Sequence, residues 1–282
     1  MINKRMRRIV GLLLIVDGLL VTLLGRPFVK LFRFGPRGSA YRRLMTWWSR
    51  RPAWLLRASG AIQAAAGAAV LNSAPLSVHE FYPTIAETHA KHDTAWRDWL
   101  HADAHAAFDR LMVQHLPPDG DILDLGCGTG ANLTRLQQMG ADIGTYTGVD
   151  ISRPLLNQFA QKEDPGAIVH LEQLNLEADP LPEGPFDLIV CTWALEHLRY
   201  PAAVVQKAYA HLRPGGHMIL LFGVNTGYWW GRLVNRILHF ASARQLPEDL
   251  YFTFPGFHRI RTYRGALGDL ALIVLRKPIA VS

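Results

Sequence analysis

The chain has 282 residues, 49% of them hydrophobic and 19% charged, enough for one large domain with an appendage. Its formal net charge of +7 belongs to one end. Residues 1–57 carry thirteen Lys and Arg against a single acid, Asp17, whereas the rest of the chain holds seventeen basic and twenty-two acidic residues. The main part of the chain therefore has no basic surface to offer nucleic acid, and its two cysteines, Cys127 and Cys191, argue against a disulfide framework and a C-x-x-C metal site.

The N-terminal quarter reads as a helical membrane-associating region, residues 1–76. Ile9 to Leu24, IVGLLLIVDGLLVTLL, has one charge in sixteen residues and follows KRMRR. A helix of that length rises ~24 Å, short of a ~30 Å hydrocarbon core. GRPFVKLF follows it without a small-residue cleavage site, so an uncleaved anchor, a transmembrane-helix candidate, is expected rather than a secretory signal. A second apolar stretch, Ala53 to Leu71, is rich in Ala and Gly and suited to close helix packing. Between them Trp47, Trp48 and Trp54 stand among arginines, a composition that favours the headgroup layer. Basic residues flank the first stretch on both sides. The positive-inside rule then favours a shallow or hairpin association over two crossings, with the main domain on the cytoplasmic side.

Residues 77–282 read as the main domain. From about Ser77 to Pro118 the pattern is helical and polar and holds six of the twelve histidines. His101 and His105 share one helical face, but no H-E-x-x-H arrangement supplies further ligands, so no metal site is expected and a covering helix is. After Pro118, strands at 121–126, 145–150, 167–175, 186–194 and 217–224 alternate with helices at 131–139, 155–162, 201–212 and 229–240. Two last strands follow near 258–262 and 270–275. Such alternation predicts an α/β fold: a doubly wound, Rossmann-like, seven-stranded sheet, mostly parallel with a C-terminal antiparallel strand. Ligands bind beyond the carboxyl ends of the strands in such sheets, where the glycine loop Gly126–Cys127–Gly128–Thr129–Gly130 falls.

That loop has no Lys to meet phosphate as a P-loop requires. Asp150 ends the next strand, twenty residues beyond Gly130, where a carboxylate can accept both ribose hydroxyls; NAD and S-adenosylmethionine (SAM) both qualify. Asp124, two residues before Gly126, is ill placed for a pyrophosphate and suits a cofactor with an ammonium group. The residues alone leave the choice open.

Five segments in order resemble class I SAM-dependent methyltransferases over residues ~120–223: ILDLGCGTGANL, TGVDIS, LNLEADPLPEGPFDLIVC, TWALEHLRYP and LRPGGHMILLF. The resemblance implies S-adenosyl-L-methionine as cofactor. It places Gly126, Cys127, Gly128 and Gly130 with Asp124 at the methionine part, Asp150 on the ribose and Ile151 on the adenine. Asn175, where the family commonly has Asp, and Leu176 come near the adenine amine, and Thr192 and Trp193 beside the sulfonium. Glu196 and His197 are the candidate general bases. Trp193 stands where metal-dependent members have a further Glu, which argues against a metal. GYWWGRLVNRILHF, 227–240, reads as a core-facing or interfacial helix. Together with the N-terminal anchor it points to a hydrophobic small-molecule or lipid acceptor, such as a quinone precursor, and to no nucleic acid. A non-catalytic SAM-binding membrane sensor or scaffold and an NAD(P)-dependent oxidoreductase are the alternatives.

Overall fold

The computed structural model describes residues 4–31, 40–71, 101–162, 167–225, 243–264 and 269–279. The chain divides into two compact units, Met1–Pro75 and Leu76–Ser282.

In the second unit, apolar runs form strands, and among the described residues an α-helix follows the first, second and fourth of them. The strands are β1 (Gly120–Leu125), β2 (Ile143–Asp150), β3 (Ile168–Gln173), β4 (Phe186–Thr192), β5 (Leu212–Asn225), β6 (Leu246–Pro247), β7 (Phe257–Tyr263) and β8 (Asp269–Arg276). They form one eight-stranded sheet in the order β3-β2-β1-β4-β5-β8-β7, with β6 beside β5. The pairs β1–β2, β1–β4, β2–β3 and β4–β5 are parallel, and β8 runs antiparallel to both β5 and β7. The seven-stranded expectation is corrected by β6. A two-residue strand ending in Pro247 shows no alternation to read, and proline cannot donate to a ladder.

Both faces of the sheet are covered, and successive residues divide between two cores, as the period of two requires. Leu123 and Leu125, Ile189 and Cys191, and Leu220 and Phe222 enter one. Ile122, Leu188 and Val190, and Ile219 and Leu221 enter the other. Each fully buried aliphatic side chain contributes roughly 1.5–3 kcal/mol relative to exposure. α8 (Pro201–Ala210), opened by a proline that needs no donor there, lays Val204, Val205 and Ala208 on the first face. The second face is covered by α5 (101–115), α6 (Ala131–Gln138) and α7 (Arg153–Ala160) through Phe108, Met112, Leu133, Leu136, Leu156 and Phe159. Asp109 of α5 and Arg135 of α6 pair at 2.8 Å and tie these two helices together. The expected helix over 229–240 and the segment 77–100 lie outside the described residues.

The first unit is helical: α1 (Lys4–Leu24), α2 (Arg26–Leu31), α3 (Ala40–Ser49) and α4 (Ala53–Leu71). α1 and α4 pack through glycines at matching seven-residue spacing, Gly11 and Gly18 against Gly67 and Gly60. A Cβ on Gly18 would stand 2.5 Å from the Gly60 carbonyl oxygen, and one on Gly67 2.6 Å from that of Gly11, so the backbones approach as only small residues allow. Gln63 Nε2 donates to Asp17 Oδ2 across the same seam at 2.7 Å. Leu13, Val16, Leu23, Trp54 and Ile62 are exposed. Among the described residues no helix is long and apolar enough to cross a membrane, which corrects the transmembrane-helix expectation. The residues are consistent with this: Arg7, Arg8 and Asp17 stand within α1, and α4 is built largely of weakly apolar Ala and Gly with Arg57 among them.

Candidate active site

The expected site residues lie at or follow the ends of β1, β2, β3 and β4. Gly126 and Cys127 donate their backbone N–H groups to the Val149 carbonyl at 2.8 and 3.0 Å, folding the glycine loop against the end of β2. Gly128 N–H donates to Asp150 Oδ2 at 2.9 Å, while Asp150 Oδ1 accepts from Ser152 N–H at 2.8 Å. The first two expected binding motifs are thus joined by a hydrogen bond.

The three glycines differ in what they serve. Gly128 has φ +54°, and a Cβ there would meet nothing within 4 Å, so its backbone faces open space and can take a ligand closely. Gly126, at φ +75°, lies against Ala194 after β4. Gly130, at φ +78°, gives up its Cβ to the Phe159 ring and so lets α6 and α7 close together. Cys127 contributes backbone, since its thiol is buried beneath the loop against Gly148, and burial raises its pKa well above the usual range.

Asp124 is fully buried. It accepts at Oδ2 from the Tyr146 hydroxyl and from Asn132 Nδ2, the latter at 3.1 Å, and the same Asn132 amide donates to Thr192 Oγ1 at 3.1 Å. Desolvation, then the Asp124 charge, pushes the Tyr146 phenol up, so it keeps its proton and acts as donor. Asn132 and Tyr146 were not legible as site residues, because an Asn at the second position of a helix and a Tyr in an apolar strand look ordinary alone.

Beyond β4 the chain turns sharply. Trp193 has φ +57°, an uncommon conformation for a bulky residue and one that collects at functional sites. Trp193 is 39% exposed, and its ring centroid lies 5.9 Å from that of His105, which α5 brings to the end of β4. Burial lowers the pKa of His101, one turn earlier, against the raising effect of the Asp269 charge. Among the described residues no three His, Cys, Asp or Glu side chains gather as a metal site.

Glu196 and His197 lie in a short 3₁₀ turn, Leu195–His197. Glu196 is buried and accepts the Gly223 N–H at Oε1, 2.6 Å away, so its carboxylate pins the turn to β5. Burial raises its pKa from 4.5 to about 7, with the Gly223 N–H working in the opposite direction. Its other oxygen, Oε2, meets no donor among the described residues. His197 is half-buried. On the adenine side Ile151 is half-buried, and Asn175 Oδ1 accepts from Glu177 N–H at 2.9 Å within its own turn, with one lone pair to spare. Leu176 is buried, and its carbonyl accepts from Lys207.

Residues 123–220 match the family described as a methyltransferase domain. They form a class I SAM-dependent methyltransferase domain. S-adenosylmethionine is its cofactor, and the open backbone at Gly128 beside the Asp150 carboxylate fits a ligand of that kind. Among curated proteins, the chain is 38% identical over 133 residues to the tRNA U34 carboxymethyltransferase of Pseudoalteromonas translucida, covering 45% of this chain and 38% of that protein. It is 33% identical over 102 residues to the ubiquinone biosynthesis O-methyltransferase of Pseudomonas aeruginosa, covering 35% and 42%. The chain thus spans less than half the length of these relatives. Two solved structures share the fold. One is a chain of the complex between the Haloferax volcanii Trm112 methyltransferase activator and its methyltransferase, with TM-score 0.54, 15% identity, and coverage of 73% of this chain and 100% of that one. The other is YcgJ of Bacillus subtilis, with TM-score 0.51, 14% identity, and coverage of 62% and 99%.

Proposed function

We propose that the protein is a membrane-associated SAM-dependent methyltransferase acting on a hydrophobic small-molecule or lipid acceptor, with its catalytic domain on the cytoplasmic side. The observation that carries the membrane part is the inverted build of the α1–α4 hairpin. Its seam holds glycines and the Gln63–Asp17 pair, and large apolar side chains stand outside, as in helix pairs solvated by lipid. A hairpin that does not cross is held shallowly, with Trp47, Trp54 and the arginines of α3 and its flanks at headgroup level. Trp47 stacks under Arg51 at 3.8 Å, a pairing that lets a cation and an aromatic ring share one interfacial position. Basic flanks on both sides of the apolar run favour the cytoplasmic face. The ubiquinone relative's acceptor is of the kind proposed. The tRNA relative's substrate is not carried over, because residues 58–282 are net acidic.

SAM supplies an activated methyl group, so the protein's work is positioning and exclusion of water. Asp150 holds the adenosine side, the Gly128 backbone lies at the methionine part, and Thr192 and Trp193 border the reacting end. Glu196, committed to Gly223, positions its turn, which leaves His197 as the candidate base for an acceptor that must lose a proton. Methyl-labelled SAM incubated with the full chain and a membrane lipid extract tests the reading: label in an extractable species supports it, and SAM binding without transfer supports a non-catalytic sensor.

A further inference from the structure

Asn132 is 4% exposed and lies between two acceptors from different strands, Asp124 Oδ2 on β1 and Thr192 Oγ1 at the end of β4. A carboxylate can only accept, so the amide must turn its NH₂ towards Asp124. The Tyr146 hydroxyl, which donates to the same oxygen, holds the carboxylate in place. With that orientation set, the second amide hydrogen reaches Thr192 Oγ1 and makes the threonine oxygen an acceptor. The threonine's own proton must then point away from Asn132, and among the described residues nothing accepts it. The arrangement leaves Asn132 Oδ1 buried with no donor among the described residues, which costs the desolvation of that oxygen. An amide kept in that orientation against such a cost has been set by its NH₂ contacts.

We propose that Asn132 is a positioning residue that aims the Thr192 hydroxyl proton at the carboxylate of the cofactor's methionine part. Thr192 is half-exposed at the strand edge where Gly128 presents its open backbone, and near its sulfonium SAM offers one anionic acceptor, that carboxylate. The inference rests on the SAM reading of the site and adds to it the direction of one proton. Thr192 makes the contact; Asn132 acts through it.

Calorimetric titration of the full chain with SAM and with 5′-methylthioadenosine, which lacks the amino-acid part, separates this role from a structural one. Thr192→Val and Asn132→Asp are each expected to weaken SAM about tenfold, as loss of a hydrogen bond to a charged group does. Binding of methylthioadenosine should stay within about twofold of the unaltered chain. Thr192→Ser, which keeps the hydroxyl, should bind SAM normally. The double variant Asn132→Asp/Thr192→Val should be no worse than Thr192→Val, because both changes remove one contact. Should Asn132→Asp fail to fold beside the buried Asp124 carboxylate, Asn132→Ala, which removes the amide without adding a charge, takes its place with the same expected loss of SAM affinity. Unchanged SAM affinity in Thr192→Val, or equal losses for both ligands, overturns the proposal while leaving the SAM site standing. Failure of the unaltered chain to bind SAM overturns both.

Discussion

Gly128 donates its backbone N–H to Asp150 Oδ2 at 2.9 Å, so the loop after β1 and the acid closing β2 are one unit. Removing the carboxylate should therefore have two effects: the ribose would lose the acceptor proposed for it, and the loop loses its anchor. Asp150→Ala should weaken SAM roughly 100-fold, as loss of two hydrogen bonds to a charged group would. Asp150→Asn, which keeps an oxygen for Gly128, should lose about tenfold. Titration calorimetry reads both, and unaltered affinity in Asp150→Ala would contradict the site assignment.

Glu196 links the site to pH. Its folded-state pKa of about 7 lies above the ordinary 4.5, so the folded protein binds the proton more tightly than the unfolded chain. That contribution is fully present below pH 4.5 and is lost as pH rises through 7. Its size is about 3 kcal/mol. Urea unfolding should show the native protein losing stability relative to Glu196→Gln between pH 4.5 and about 7, since glutamine still accepts the Gly223 N–H without titrating. Parallel curves for the two proteins would show that Glu196 does not carry this dependence.

Trp193 tests the value of the turn after β4. A left-handed backbone at a bulky residue costs about 1–3 kcal/mol, and glycine escapes that cost. Trp193→Gly should be about 1 kcal/mol more stable than Trp193→Ala in urea unfolding. Both should lower methyl transfer to a hydrophobic acceptor far more than SAM binding. Equal stability of the two variants would remove the strain argument.

The sheet was legible because its residues alternate. Leu188 and Val190 face one core and Ile189 and Cys191 the other, and β1 to β4 were found close to their bounds, whereas β5 begins at Leu212, ahead of the expected 217. Leu246–Pro247 was not, because two residues carry no period. Gly126, Gly128 and Gly130 were legible as close approaches, but their equal spacing hid that Gly130 serves the Phe159 ring and Gly128 the open site. Glu196 looked free to act as a base; its bond to Gly223, twenty-seven residues away, is a product of the sheet and no local pattern announces it. The same holds for Asn132, whose partners come from two different strands.

The α1–α4 seam tolerates no side chain at its glycines. Gly18→Leu or Gly60→Leu forces the backbones apart, at a cost of about 1–3 kcal/mol or more. Either change should reduce flotation of the full chain with anionic phospholipid vesicles severalfold while SAM affinity stays unchanged. Flotation equal to the unaltered chain would separate membrane association from the hairpin.

The most direct measurement is transfer of labelled methyl from SAM by the full chain in the presence of a membrane lipid extract, followed by partition between organic and aqueous phases. The account predicts label in the organic phase, dependent on Asp150. Label confined to the aqueous phase would contradict it.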